Sequence, residues 1–199
     1  MVPRETDITG VILVGGKSRR MGTDKAFLEI EGKPLFERVL SVFTGTFART
    51  ILIGGDAGRF ARYGLPVFPD IYPGSALGGL YTGLVQCDTP YVFVSACDIP
   101  FPSSSVVRYL ASLRQDFDAV VPTAADRFEP LFAVYSRNCR LPMQRLLEQG
   151  NVRIFDIYPE INVRYVPLDE LARLDGGERT FENINTPEDL ARAALDRGE

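Results

Sequence analysis

The sequence contains no histidine. That absence removes Ser-His-Asp and Cys-His nucleophilic chemistry, histidine general bases and most transition-metal sites. What is left is chemistry by carboxylates, ammonium and guanidinium groups, backbone amides, and hard cations such as Mg2+ held by oxygen. Cysteine is scarce. Cys87, Cys97 and Cys139 form no C-x-x-C pair and are odd in number, so neither a disulfide framework nor a zinc site is indicated, and a reducing cytoplasm fits. An excess of positive charge is missing too, and the net charge of -4 argues against a nucleic-acid partner, which would call for a basic face. No apolar run reaches the roughly 18 residues of a membrane span, and residues 1–9 carry charges without the apolar core of an export signal. The expectation is a cytoplasmic protein with no membrane partner.

What is present is a chain of 199 residues, 45% of them apolar, enough for one well-buried core and expected as a single domain over residues 1–199. Short β-branched runs recur at 10–14, 50–53, 91–95, 119–122 and 131–135. Between several of them apolar residues take helical spacing, as at Leu35, Val39, Leu40 and Phe43, or at Val106, Tyr109, Leu110 and Leu113 after serines suited to N-capping. The alternation predicts an α/β fold with a largely parallel sheet. Near-continuous runs such as VILV and YVFV suit central strands covered on both faces. At the far end, NTPEDLARAAL predicts a terminal helix with Thr186 as N-cap and Pro187 at its first position.

In open α/β sheets ligands collect at the carboxyl ends of strands, beside the point where strand order reverses. Three segments fall at such ends. The first, GGKSRRMGTDK after the opening strand, places Lys17, Arg19, Arg20 and Lys25 among glycines. Glycine lets backbone N–H groups approach an anion, and Arg20 and Lys25 can add charge-assisted hydrogen bonds. The loop is not a P-loop: Gly16-Lys17-Ser18 supplies the last three positions of that template, but Val11 stands where its first glycine belongs. Nor is it a G-x-G-x-x-G turn, because Gly15 and Gly16 are adjacent and the next glycine is Gly22. A solvated basic turn is the plainer alternative.

The second segment, YVFVSACDIP, ends a buried strand on Asp98. A carboxylate there must be paired, hydrogen-bonded or metal-bound, which makes Asp98 the best Mg2+ ligand in the chain; the alternative is a cap on the helix starting near Ser103, or a turn. In the third, PVFPDIYPGSALGGLYTGL, Asp70 precedes a Pro-Gly loop and Gly78-Gly79 open a helical stretch. Glycine early in a helix costs about 1 kcal/mol relative to Ala. It makes sense if a ligand lies on the backbone, or equally if the helix packs tightly on the sheet.

The series LVGGKSRRMGTDK, EGKPL, VFPD, LGGL, ACDIP, EPLFAVY and NINTPEDL resembles the molybdenum cofactor guanylyltransferases of the nucleotidyltransferase superfamily. The family's opening motif, L-A-G-G-x-S-x-R-M-G-x-D-K, matches Leu13 to Lys25 except that Val14 replaces Ala, and the resemblance runs from about Ile8 to Leu195. It implies a single-domain, Rossmann-like three-layer sandwich of the nucleotide-diphospho-sugar transferase kind. It also implies transfer of GMP from GTP to the terminal phosphate of molybdopterin or molybdenum cofactor, with release of pyrophosphate.

Carried over residue by residue, Leu13, Val14, Gly15, Gly16, Lys25, Asp70 and Asp98 would bind GTP. Arg20 and Lys25 would face the triphosphate, Asp98 would hold Mg2+, and Arg153, Asn183 and Asn185 would hold the pterin. Proteins that deliver or accept the cofactor are implied as partners. The Gly15-Gly16 pair favours guanine-using members over cytosine-using relatives, while Val14 would narrow the pocket if it faced the base and be neutral if it faced the core. Three alternatives remain at this point: a CTP-using enzyme, a nucleotidyltransferase for another small phosphate, and a non-catalytic nucleotide sensor. Retention of both Lys25 and Asp98 argues against the sensor.

Overall fold

Burial on both faces explains why the opening strand reads as one apolar run. In the computed structural model, which describes residues 3–15, 25–124 and 127–182, β1 (Glu5–Leu13) is buried from Ile8 onward. A small antiparallel hairpin of β2 (Glu29–Ile30) and β3 (Lys33–Pro34) leads into α1 (Leu35–Thr46) and β4 (Phe47–Ile53). There follow α2 (Ala57–Phe60), β5 (Val67–Phe68), α3 (Ala76–Gln86), β6 (Tyr91–Ala96), α4 (Ser104–Ser112), β7 (Ala119–Ala124), β8 (Arg127–Phe128) and β9 (Phe132–Ser136). The described chain closes with α5 (Arg140–Glu148), β10 (Val163–Pro167), α6 (Leu168–Leu171) and α7 (Gly177–Thr180).

The main sheet runs β10-β7-β9-β6-β1-β4-β5, with β8 paired to β7. Side chains alternate between its faces, as the period of two demands. Ile8 and Ile12 of β1 join Phe36, Val39 and Phe43 of α1 and Val106, Val107 and Leu110 of α4 on one side. Val11 and Leu13 join Leu77, Leu80 and Leu84 of α3 and Met143 and Leu147 of α5 on the other. Helices therefore cover both faces, giving the expected three-layer α/β sandwich with a mostly parallel sheet. The serines before α4 behave as expected: the Ser103 hydroxyl accepts from the Val106 N–H at 3.3 Å.

Two strands run against the rest. β9 is antiparallel to β6 and β7, and β8 to β7. The reason is chain length, since a parallel return needs a crossover of a dozen or more residues and only residues 125–131 separate β7 from β9. From β1 the chain steps outward to β4 and β5, then returns to the opposite side of β1 as β6. Strand order thus reverses between β1 and β6, which is where a crevice forms.

Candidate functional site

The four strands beside that reversal end level with one another. Leu13 pairs with Ile53 and with Ala96, and Ile53 pairs with Phe68. Two residues beyond each of these stand Gly15, Gly55, Asp98 and Asp70, so the order across the sheet is carboxylate, glycine, glycine, carboxylate. The ends of β6 and β5 are three strand spacings apart, roughly 14 Å. A cavity of about 610 Å³ opens over this row, lined by all four residues together with Leu13, Val14, Ile53, Gly54, Ala96, Cys97 and Leu131, and by Pro69, Pro73, Gly74, Ser75, Ala76 and Gly79 from the loop before α3 and its first turn.

Glycine is required at the centre of the row. Gly54 and Gly55 have φ of +80° and +72°, a region that L side chains enter only at a cost. A Cβ on Gly54 would stand 2.8 Å from the Gly15 Cα, and one on Gly15 would stand 3.1 Å from the Gly54 Cα. The two strand ends touch backbone to backbone, and the Val14 N–H donates to the Ile53 carbonyl at 2.9 Å. The Val14 side chain continues the even-numbered face of β1 into the core beside Phe60 and Ala26, with 7% exposure. Val14 is thus among the residues lining the cavity while its side chain is buried in the core, the neutral orientation.

The flanks carry charge. Asp70 Oδ1 accepts from the Tyr72 N–H and from the Thr82 hydroxyl, both at 3.0 Å. Burial pushes the Asp70 carboxyl above its ordinary pKa, and those two hydrogen bonds pull the other way. Asp98 follows β6 in a turn. The cap of α4 is Ser103, which removes the helix-cap alternative for Asp98.

The glycines of α3 are explained by packing. A Cβ on Gly78 would fall 2.0 Å from the Tyr72 carbonyl oxygen, one on Gly79 3.2 Å from Leu13, and one on Gly83 2.8 Å from Val11. The helix lies directly on β1 and on the loop behind Asp70, so these glycines need no ligand.

Of the residues singled out in the sequence, Leu13, Val14, Gly15, Asp70 and Asp98 meet in the cavity. Lys25 opens a 3-10 turn, Lys25–Phe27, whose Phe27 ring stacks on Phe60 at 5.6 Å. Arg153 stands exposed before the 3-10 helix Ile154–Glu160, its N–H donating to Asn151 Oδ1 at 3.0 Å, and is not among the residues lining the cavity. Gly16, Arg20, Asn183, Asn185 and the helix expected after Thr186 lie outside the described residues. Sequence reasoning missed Gly54, Gly55, Ser75, Thr82, Cys97 and Leu131. A signal for the first two existed, since ILVGG at 12–16 recurs as ILIGG at 51–55.

Among the described residues no three His, Cys, Asp or Glu side chains gather as a metal site, and no helix is long and apolar enough to cross a membrane. The cavity instead offers two separated carboxylates and a backbone floor. An ion there would depend on one carboxylate plus oxygens brought by a ligand, which is how Mg2+ is commonly held alongside phosphates.

Residues 10–161 match the MobA-like NTP transferase domain. A protein of Pelotomaculum thermopropionicum named "Probable molybdenum cofactor guanylyltransferase" is 38% identical over 188 residues, covering 94% of this chain and 92% of its own length. The molybdenum cofactor guanylyltransferase of Desulfosudis oleivorans is 32% identical, covering 94% of each chain. Among solved structures, molybdopterin-guanine dinucleotide biosynthesis protein A of Archaeoglobus fulgidus superposes with a TM-score of 0.81 at 30% identity, covering 94% of this chain and 96% of that one.

Proposed function

The chain belongs to the MobA-like NTP transferases, among the molybdenum cofactor guanylyltransferases, and from that premise we propose that it moves GMP from GTP onto the terminal phosphate of molybdopterin or molybdenum cofactor and releases pyrophosphate. The observation that carries this reading is the level row of Asp98, Gly15, Gly55 and Asp70 along the cavity floor. A backbone-lined centre admits a nucleotide closely, and charged flanks orient its ends.

Leu13, Val14 and Gly15 would meet the nucleotide through backbone atoms, with Gly16 continuing that surface. Lys25 and Arg20 would bind the triphosphate as fixed cations. Asp98 would hold Mg2+, which when bound neutralises phosphate charge, and Asp70 would bind the nucleotide from the far flank. Arg153, Asn183 and Asn185 would hold the pterin, and partner proteins would deliver or accept the cofactor.

An acceptor phosphate monoester is already anionic near neutral pH, so transfer needs no strong general base, in keeping with a chain free of histidine. An acceptor oxygen forms the new bond to the α-phosphorus while the bond from that phosphorus to the bridging oxygen breaks, and pyrophosphate carries away the electron pair. Alignment and charge neutralisation supply the catalysis.

Thermal melting with each of the four NTPs and Mg2+ tests the base assignment. A ligand at 100 times its Kd adds about 2.7 kcal/mol, so GTP should raise Tm well above ATP, UTP or CTP. A larger rise with CTP would overturn the guanine reading and leave the fold intact.

A further inference from the structure

Thr82, fully buried on α3, grips the loop that carries Asp70 at two points. Its hydroxyl oxygen accepts from the Ile71 N–H at 2.9 Å and lies 3.0 Å from Asp70 Oδ1. One turn earlier the same helix presents Gly78, where there is no room even for a methyl against the Tyr72 carbonyl. The loop 70–72 is therefore seated on α3 by shape at Gly78 and by hydrogen bonding at Thr82.

The hydroxyl has one proton and two acceptors within reach, Asp70 Oδ1 and the Gly78 carbonyl at 2.9 Å. Back-bonding to the carbonyl four residues earlier is open to any helical threonine. A carboxylate is the stronger acceptor, so the proton goes to an ionised Asp70. Both hydrogen bonds to the carboxylate, from Thr82 and from the Tyr72 N–H, fall on Oδ1. Among the described residues Oδ2 receives none, which leaves it for a ligand in the cavity that Asp70 lines.

We propose that Thr82 is a positioning residue for nucleotide binding: through Oδ1 it fixes the Asp70 carboxylate so that Oδ2 is presented to the nucleotide. The proposal rests on the reading of Asp70 as a nucleotide-binding carboxylate. Nothing in it requires Thr82 to touch the substrate.

The test is steady-state pyrophosphate release by the full chain with GTP, Mg2+ and molybdopterin, comparing the parent, Thr82→Val, Thr82→Ser, Asp70→Asn and the Thr82→Val/Asp70→Asn pair, with melting of each. Loss of one hydrogen bond to a charged group corresponds to about a tenfold change. Thr82→Val should raise KM for GTP by about that factor with a smaller change in kcat, and Thr82→Ser should restore most of the affinity. In the Asp70→Asn background Thr82→Val should add little, because its effect runs through the carboxylate. Equal effects of Thr82→Val in both backgrounds, or a serine variant as impaired as the valine one, would reduce Thr82 to a structural role and overturn the proposal. A parent-like Thr82→Val beside an impaired Asp70→Asn overturns it while the Asp70 reading stands. A parent-like Asp70→Asn brings down both. If Thr82→Val does not fold, Thr82→Ala carries the same predictions.

Discussion

The centre and the flanks of one cavity are built on opposite principles. At the centre, Gly15, Gly54 and Gly55 bring two strand ends into backbone contact, with positive φ at two of them and no side chain pointing anywhere. At the flanks, Asp70 and Asp98 end strands whose side chains bear charge. Closeness and charge are therefore supplied by separate parts of the site. Replacing a central residue should cost the fold first, and replacing a flank residue should cost function first.

The largest effect expected is at a flank. Asp98→Asn keeps shape and removes charge; removal of a single transition-state stabiliser costs on the order of 100- to 1000-fold in rate, or about 2.7–4 kcal/mol of barrier. Pyrophosphate release should fall by at least that factor, while Tm stays close to the parent's, because the change is nearly isosteric and lies in the turn beyond β6. A lower Tm with intact turnover would make Asp98 a structural residue and erase the contrast.

Gly54→Ala breaks the centre. It forces a side chain into positive φ and against the Gly15 backbone at 2.8 Å, for about 1–3 kcal/mol of stability. Denaturant unfolding should show the loss before any change in metal dependence, and an alanine variant as stable as the parent would mean that the two strand ends can part.

Val14→Ala probes the underside of the centre. With the side chain in the core, the change should cost about 1–2 kcal/mol, as deletion of two buried methyl groups does, and leave the preference among NTPs unaltered. A shift in that preference would put the Val14 side chain in the pocket.

The smallest effect concerns Asp70, whose carboxyl burial holds above its ordinary pKa. A carboxyl raised on folding adds stability below its unfolded pKa, and that contribution is lost as pH rises through the folded value. The parent should therefore be relatively weakest at neutral pH. Asp70→Asn should melt at or slightly above the parent at pH 7, with the advantage vanishing as pH falls toward about 3.9. Parallel pH–Tm curves would show that burial of the charge is not felt.

The five strands read from apolar runs are all present, because strands buried on both faces must be apolar throughout. β5 and β10 were not legible: the first has two residues, and the second, VRYVP, is an edge strand with Val166 alone buried. The direction of β9 followed from the seven residues before it, a length visible in the sequence but informative only once β7 was placed. In the site, Asp70 and Asp98 were legible as charges at strand ends. Thr82 was not, because a threonine inside an apolar helix looks like any other until the loop it holds is located.

Transfer of GMP from GTP to a pterin phosphate in this cavity is open to direct measurement. Incubation of the full chain with molybdopterin, Mg2+ and each NTP in turn, followed by mass analysis of the pterin product and assay of pyrophosphate, tests it most directly. GTP should give a pterin product heavier by one guanylyl group and an equal amount of pyrophosphate, with far less from CTP, ATP or UTP. Pyrophosphate without a guanylylated pterin, or a cytidylylated product in preference, would contradict it.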